Sequence, residues 1–172
     1  MFTLLHLNTK YCGDLRDRKS VTRPVELFPK EDQEAIDIIL DLSMGYDPED
    51  QLNRTACTAL DRDFYETVAA INTKDIDVAW RLTNNVNESW VMGPKVVLTN
   101  AKYEEAKQNE QNIRAALTKR GEVVSGIGPS LRSMSVGDIL VDDGGVYHLC
   151  APIGFVKLTL VSDEAKKKYL WE

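Results

Sequence analysis

The run Ser135-Val136-Gly137-Asp138, Ile139-Leu140-Val141, Asp142-Asp143-Gly144-Gly145, Val146-Tyr147-His148-Leu149 and then Gly154-Phe155 constrains the fold more than any other part of this chain. Asp-Gly and Gly-Gly supply the positive φ that a tight hairpin needs, and apolar β-formers flank them on both sides. Gly137-Asp138 marks a further turn just before the first apolar run. The pattern predicts a hairpin over residues 139–149 and a third strand from Phe155 to Val161. Residues 163–170 read as a short helical tail, with Lys166-Lys167-Lys168 placed favourably for the helix dipole.

Helices are expected upstream. Pro29 precedes a segment with Glu31, Asp32 and Glu34 in its first turn, and Ala35, Ile36, Ile39 and Leu40 recur at helical spacing. A helix over 31–43 follows, with Gly45 as its stop. Residues 46–50 read as an acidic loop. Residues 2–7 suit a first strand, residues 9–24 a polar loop, and Val25, Leu27 and Phe28 a short extended piece. Phe64 to Ile71 has the composition of a strand. Thr73 or Asp75 can cap a helix that places Ile76, Ala79, Trp80 and Thr83 on one face. Val96-Val97-Leu98 is a short strand, and residues 101–120 form a polar helix with a thin apolar stripe. The expectation is one α+β domain over residues 1–172. It has an antiparallel sheet with a C-terminal β-hairpin unit, packed by two or three helices. Those at 31–43 and 75–84 cover the last three strands, and a helical insertion occupies about 100–121.

Composition narrows the function classes. Apolar residues make up 43% of the 172 residues and charged ones 28%, enough for a real core. The net charge of −6 disfavours nucleic acid as a direct partner, because phosphate binding rests on Lys and Arg. No stretch approaches the ~20 apolar residues of a bilayer span. The N-terminus has no basic leader, so a cytoplasmic location is expected. Cys12, Cys57 and Cys150 match neither a disulfide framework nor a zinc ribbon, and reduced thiols are expected. His6 and His148 with Cys12 and Cys150 are nitrogen and sulfur donors without a compact ligand pair. Neither a metal nor a cofactor is expected.

Several tags occur in order: Tyr65-Glu66-Thr67-Val68-Ala69, Trp80-Arg81-Leu82-Thr83-Asn84-Asn85, Ser89-Trp90, Arg132-Ser133-Met134-Ser135-Val136-Gly137-Asp138 and Gly154-Phe155. Together they resemble a family of small, mostly uncharacterised proteins of bacteriophages and mobile elements, with TN…SW and RSxSVGD…GF motifs. The end of the motif also looks like domains of large plasmid proteins of the YodL type. The resemblance covers roughly residues 64–90 and 130–156, about a third of the chain. The segment between Pro94 and Arg132 is longer than the family pattern. The resemblance implies an accessory phage protein, located in the host cytoplasm if phage-encoded, and it carries no catalytic residues.

Three constellations are candidates for contact with a partner or ligand. Arg132, Ser133, Ser135 and Asp138 suit an anion held by hydroxyls and backbone N–H groups, or simply a turn whose backbone the serines satisfy. Arg132 also suits a bidentate pair with Asp138. Asn84 and Trp90, with Asn85, Asn87 and Ser89, form a polar cluster beside an indole, or a helix end with Trp80 and Trp90 in the core. Residues 31–53 hold eight carboxylates and no Lys or Arg. Of these, Asp37, Asp41, Asp47, Glu49 and Asp50 form either a solvated face or an acidic face offered to a basic host protein. The leading expectation is a non-enzymatic phage accessory protein, for host takeover or counter-defence, that binds a host protein. The alternative is a small-molecule or nucleotide binder or sequestering protein, with or without enzyme activity, built on Arg132, Ser133 and Ser135. Self-association through the 101–119 helix stays open.

Overall fold

Phe2–Leu7 places Phe2, Leu4, Leu5 and Leu7 on both faces with only Thr3 and His6 between them, the pattern of a strand covered on both faces. In the computed structural model these residues form β1, and all six are buried. The structure describes residues 1–7, 30–84, 89–122 and 128–169. The loop expected over 9–24, the piece at 25–28, Cys12, Asn85 and Asn87 lie outside the described residues.

The further strands are β2 (Tyr65–Ile71), β3 (Val96–Leu98), β4 (Ile139–Asp142), β5 (Tyr147–Cys150) and β6 (Phe155–Leu158). They form a six-stranded antiparallel sheet in the order β3-β2-β1-β4-β5-β6, and the fold is α+β. Among the described residues the helices are α1 (Lys30–Met44), α2 (Glu49–Asp61), α3 (Ile76–Leu82), α4 (Asn100–Lys119) and α5 (Asp163–Lys168). The chain divides into two compact units, one of Met1–Leu4 with Thr67–Met134 and one of Leu5–Glu66 with Ser135–Glu172.

In the unit holding residues 67–134, β2 pairs with β3 in the register Ala69↔Leu98 and Ile71↔Val96. The Asp75 carboxylate caps α3, accepting from the N–H groups of Asp77 at 2.9 Å and Val78 at 3.2 Å. Within this short helix only Ala79 is buried, and Trp80 is 43% exposed. The expected inward Trp80 is therefore corrected. The buried line runs through Ala79 and Thr83, and one further residue rotates the indole about 100° off it. Polar α4 buries only Ala106 and is laced by Lys102–Glu105 and Arg114–Glu110 pairs.

The other unit carries the hairpin. β4 and β5 pair as Ile139↔Leu149 and Val141↔Tyr147, and β5 pairs with β6 as Cys150↔Phe155. Asp142 organises the first turn: its Oδ1 accepts from the N–H groups of Gly144 and Val146, both at 2.9 Å. Gly145 and Gly154 supply the positive φ, at +75° and +72°. The core beneath the hairpin takes its helical side chains from α1, α2 and α5, including Ile39, Leu42, Leu60 and Ala165. The helix at 75–84, expected to cover these strands, belongs to the first unit.

Helix α2 corrects the reading of residues 46–50 as a loop throughout, because Glu49 and Asp50 form its first turn. Pro48, at φ −54°, leads into it, and two carboxylates there complement the dipole. Its apolar stripe of Leu52, Ala56, Cys57, Ala59 and Leu60 is buried.

Candidate functional site

The two halves of the sequence signature meet in the first unit. The Thr83 carbonyl accepts from Met134 N–H at 3.1 Å, and the indole N–H of Trp90 donates to the Arg132 carbonyl at 3.1 Å. The Ser89 hydroxyl donates to the Pro129 carbonyl. Asn109 and the Ala106 carbonyl hold the backbone of Ser130 between them. Trp90 and Thr83 are buried. Asn84 turns back on its own helix, its side-chain amide donating to the Trp80 carbonyl at 2.6 Å. Thr83, Ser89 and Trp90 of the two tags thus hold the segment 129–134.

Asp138 closes the second half of the signature. It is 1% exposed, and its carboxylate accepts from Leu7 N–H at 2.9 Å and Ser135 N–H at 2.8 Å. Gly137, at φ +91°, presses against the Leu42 carbonyl, which a Cβ would meet at 3.0 Å. Its own carbonyl takes the Tyr65 hydroxyl at 2.7 Å. His6 Nε2 lies 4.0 Å from Asp138 Oδ2. These bonds bear directly on the anion-cradle reading. The N–H groups of Met134, Ser135, Gly137 and Asp138 donate to Thr83, Asp138, Cys150 and Ser135 respectively. Four of the donors that a cradle would need are engaged inside the protein. Ser133 and Arg132 are half-buried, with Arg132 Nη1 donating to the Ser133 carbonyl at 3.2 Å, and Ser135 is exposed.

Thiol and imidazole chemistry are equally constrained. Burial, and then the Asp138 charge, push the Cys150 thiol up to about 11, and burial raises Cys57 as well. Both stay protonated near neutral pH, whereas the thiolate is the nucleophile. His148 Nε2 sits 3.1 Å from Asp142 Oδ2. Partial burial works to raise the Asp142 carboxyl, but bonds from Val146 N–H, His148 and Gly144 N–H outweigh it and hold the pKa below the ordinary carboxylate value. Among the described residues no group of three or more His, Cys, Asp or Glu side chains is placed to hold a metal ion.

A cleft of about 320 Å³ lies between the end of α2 and α5, lined by Leu60, Asp61, Asp63, Ser162, Ala165 and Lys168 among others. Four of its polar groups pair with each other, Ser162 with Asp61 and Lys168 with Asp63, and Glu164 is the other charged group of the lining. One carboxylate is not the convergent set of polar groups that a ligand site offers.

The acidic segment divides in two. Asp50 pairs with Arg54 at 2.9 Å and Glu34 with Arg62 at 3.1 Å, so α2 neutralises part of it. Asp37 and Asp41 are exposed near the C-terminal end of α1, and Asp47 follows just beyond. Asp41 titrates above the ordinary carboxylate value, through burial first and then the charges of Asp47 and Asp37. No basic residue occupies the last turn of α1. Carboxylates there face the negative end of the helix dipole and repel one another. Glu49 is exposed in the first turn of α2, where its charge is favourable.

Sequence reasoning missed Tyr65 and His6 as partners of the Gly137-Asp138 turn. Part of the signal for Asp138 was legible: a carboxylate between Gly137 and the apolar run Ile139-Leu140-Val141 stands at a strand entry, and if buried it needs donors around it. Nothing in the sequence places Tyr65 opposite it.

Fold and site define an α+β protein with an internally bonded signature turn and an acidic helix end whose last turn holds no basic residue. Comparison with protein-family models, with curated proteins and with solved structures finds no match. Among the described residues no helix is long and apolar enough to cross a membrane.

Proposed function

We propose that this chain acts by binding, as a non-enzymatic phage-type accessory protein that grips a basic region of a host protein in the host cytoplasm. One observation carries the reading: Asp41 in the last turn of α1, Asp47 just beyond it and Asp37 one turn earlier gather carboxylates toward the dipole-negative end, where burial first and then the charges of Asp47 and Asp37 raise the Asp41 pKa and the last turn holds no basic residue. Such an arrangement works against the stability of its own fold, and a cationic partner would relieve it. The resemblance of the TN…SW and RSxSVGD…GF tags to phage proteins supplies the biological setting. The engaged N–H groups of residues 134–138 weigh against the Arg132, Ser133 and Ser135 turn as an anion site.

The test is recovery of a specific partner from host lysate at low and at high salt. Electrostatic recognition predicts recovery that weakens with salt and is lost on Asp37→Asn with Asp41→Asn and Asp47→Asn. Failure to recover any specific partner at either salt defeats the reading. Asp41→Asn is also expected to stabilise the isolated protein by about 0.3–0.5 kcal/mol, a small gain because the group is solvent-screened. A shift of the urea midpoint to higher concentration, at unchanged slope, checks it.

A further inference from the structure

The end of α1 is held in place from one side. Gly45 leaves the helix at φ +64°, and its N–H bonds to the Asp41 carbonyl at 2.9 Å. A Cβ on Gly45 would stand 2.6 Å from Pro152 Cδ and 2.8 Å from Val136 Cγ1. Only glycine permits both that φ and that approach. The loop after α1 is therefore pressed against the turn between β5 and β6.

The residues flanking this contact point outward. Met44 is 58% exposed, Tyr46 84% and Ile153 95%. Each adjoins Gly45 or Pro152 in sequence, about 3.8 Å away along the chain from Cα to Cα. Single exposed apolar side chains are ordinary, but here three large ones adjoin one tight backbone contact. Asp41 and Asp47 lie within the same seven residues of chain as Met44 and Tyr46, and Asp37 is one turn earlier on α1.

From these observations, and resting on the proposed function, we propose that Met44, Tyr46 and Ile153, rimmed by Asp37, Asp41 and Asp47, are the docking surface for a basic amphipathic segment of the partner protein. Charge selects that occupant. Nucleic acid and anionic membrane would be repelled by the rim. A second copy of this chain brings a net charge of −6, so repulsion opposes it as well. The α5 lysines Lys166 and Lys168 are paired with Asp163 and Asp63. A helix with apolar anchors at i, i+3 or i+4 and Lys or Arg alongside satisfies both parts of the surface at once. The tight seat of Gly45 presents Tyr46 with little ordering cost, which suits an aromatic anchor.

The probe is a fluorescently labelled Leu/Lys amphipathic peptide, with a scrambled Leu/Lys peptide and a Leu/Glu amphipathic peptide as references, read by anisotropy. The Leu/Lys amphipathic peptide should bind, and the other two should bind far more weakly. Tyr46→Ala with Ile153→Ala should weaken it about tenfold or more, the loss typical of a truncated anchor. Asp37→Asn with Asp41→Asn and Asp47→Asn should weaken it at low salt and flatten the salt dependence. Glu122→Gln, an exposed carboxylate elsewhere, should change nothing. All these substitutions are on exposed or half-buried side chains, and unchanged circular dichroism confirms that the fold is kept. Absent binding, equal binding of the scrambled peptide, or indifference to Tyr46→Ala with Ile153→Ala overturns the surface. Sedimentation showing a dimer that Tyr46→Ala dissolves would assign it to a second copy and overturn the proposal too. A lysate partner retained equally by wild type and by the Tyr46, Ile153 variant would sink this inference and leave the proposed function standing. Peptide binding as described, with no lysate partner at either salt, would defeat the proposed function and with it the assignment of this surface to a partner protein.

Discussion

At the scale of single residues, Asp138 decides what the signature turn is for. A buried carboxylate is tolerated only when donors surround it, and here Leu7 and Ser135 N–H groups fill both oxygens. The Tyr65 hydroxyl on the Gly137 carbonyl fixes the adjacent peptide. Asp138→Ala removes two charge-assisted bonds and strands two backbone donors, so it should cost about 2–4 kcal/mol. Urea unfolding with an unchanged slope measures it, and a loss under about 1 kcal/mol, the scale of a single neutral hydrogen bond, contradicts this assignment. Asp138→Asn should also destabilise, because its amide presents a donor to one of the stranded N–H groups. Part of this was legible beforehand: Gly-Asp at a strand entry announced the turn. The sequence left Asp138 with two roles, ligand contact or turn bracing. The choice depended on Leu7 and Tyr65, which are 131 and 73 positions away.

Elements were read to the extent that their signals were local. The hairpin over β4 and β5 was legible because its Asp-Gly-Gly turn and its flanking β-formers lie within a dozen residues. Helix α1 announced itself by large apolar residues at helical spacing. Helix α2 escaped because its buried stripe is mostly small, with Ala56, Cys57 and Ala59 between Leu52 and Leu60. Pro48 followed by Glu49 and Asp50 was the available start signal. Trp80 misled for the opposite reason: a large aromatic on a short helix suggests a core, yet the helix buries only Ala79. The hairpin turn itself yields a pH prediction. Asp142 has a lowered pKa because the bonds from Val146, His148 and Gly144 outweigh its burial. Its contribution is therefore fully present above the unfolded carboxylate value of about 3.9 and is lost as pH falls through the lower folded value. Asp142→Ala should destabilise near neutral pH by about 1–2 kcal/mol, the worth of its turn bonds. Its penalty relative to wild type should shrink as pH falls below the unfolded carboxylate value. A penalty that stays constant across that range would show that the carboxylate charge is not what braces the turn.

At the scale of the molecule, the C-terminal segment closes the core of the unit that carries the hairpin. Thr159 meets Asn53, Ser162 meets Asp61 and Lys168 meets Asp63, so the segment is stitched along α2 and the turn after it. Two tyrosines complete the closure. Tyr147 reaches the Ala165 carbonyl at 3.4 Å, and Tyr169 reaches the Tyr65 carbonyl at 3.3 Å. Sequence alone could place α5 but not this seat, because its partners Asn53, Asp61, Asp63 and Tyr65 lie a hundred or more positions upstream. Burial pushes the Tyr147 hydroxyl up to about 12, and burial followed by the Asp63 charge does the same for Tyr169. Both therefore favour the neutral phenol in the fold. Their contribution is complete below the unfolded phenol value of about 10 and drains away as pH rises toward the folded value. Each tyrosine should take on the order of 2 kcal/mol from the folded state across that interval. Tyr147→Phe and Tyr169→Phe keep the buried ring and remove the ionisable group. Each should therefore flatten the alkaline loss of stability, while costing about 1 kcal/mol near neutral pH for the lost hydrogen bond. Ultraviolet titration of tyrosinate is the direct check: the absorbance steps that Tyr147→Phe and Tyr169→Phe remove should appear only as the protein unfolds. Six phenols titrating together near 10 in the folded protein would mean that α5 does not seal this core.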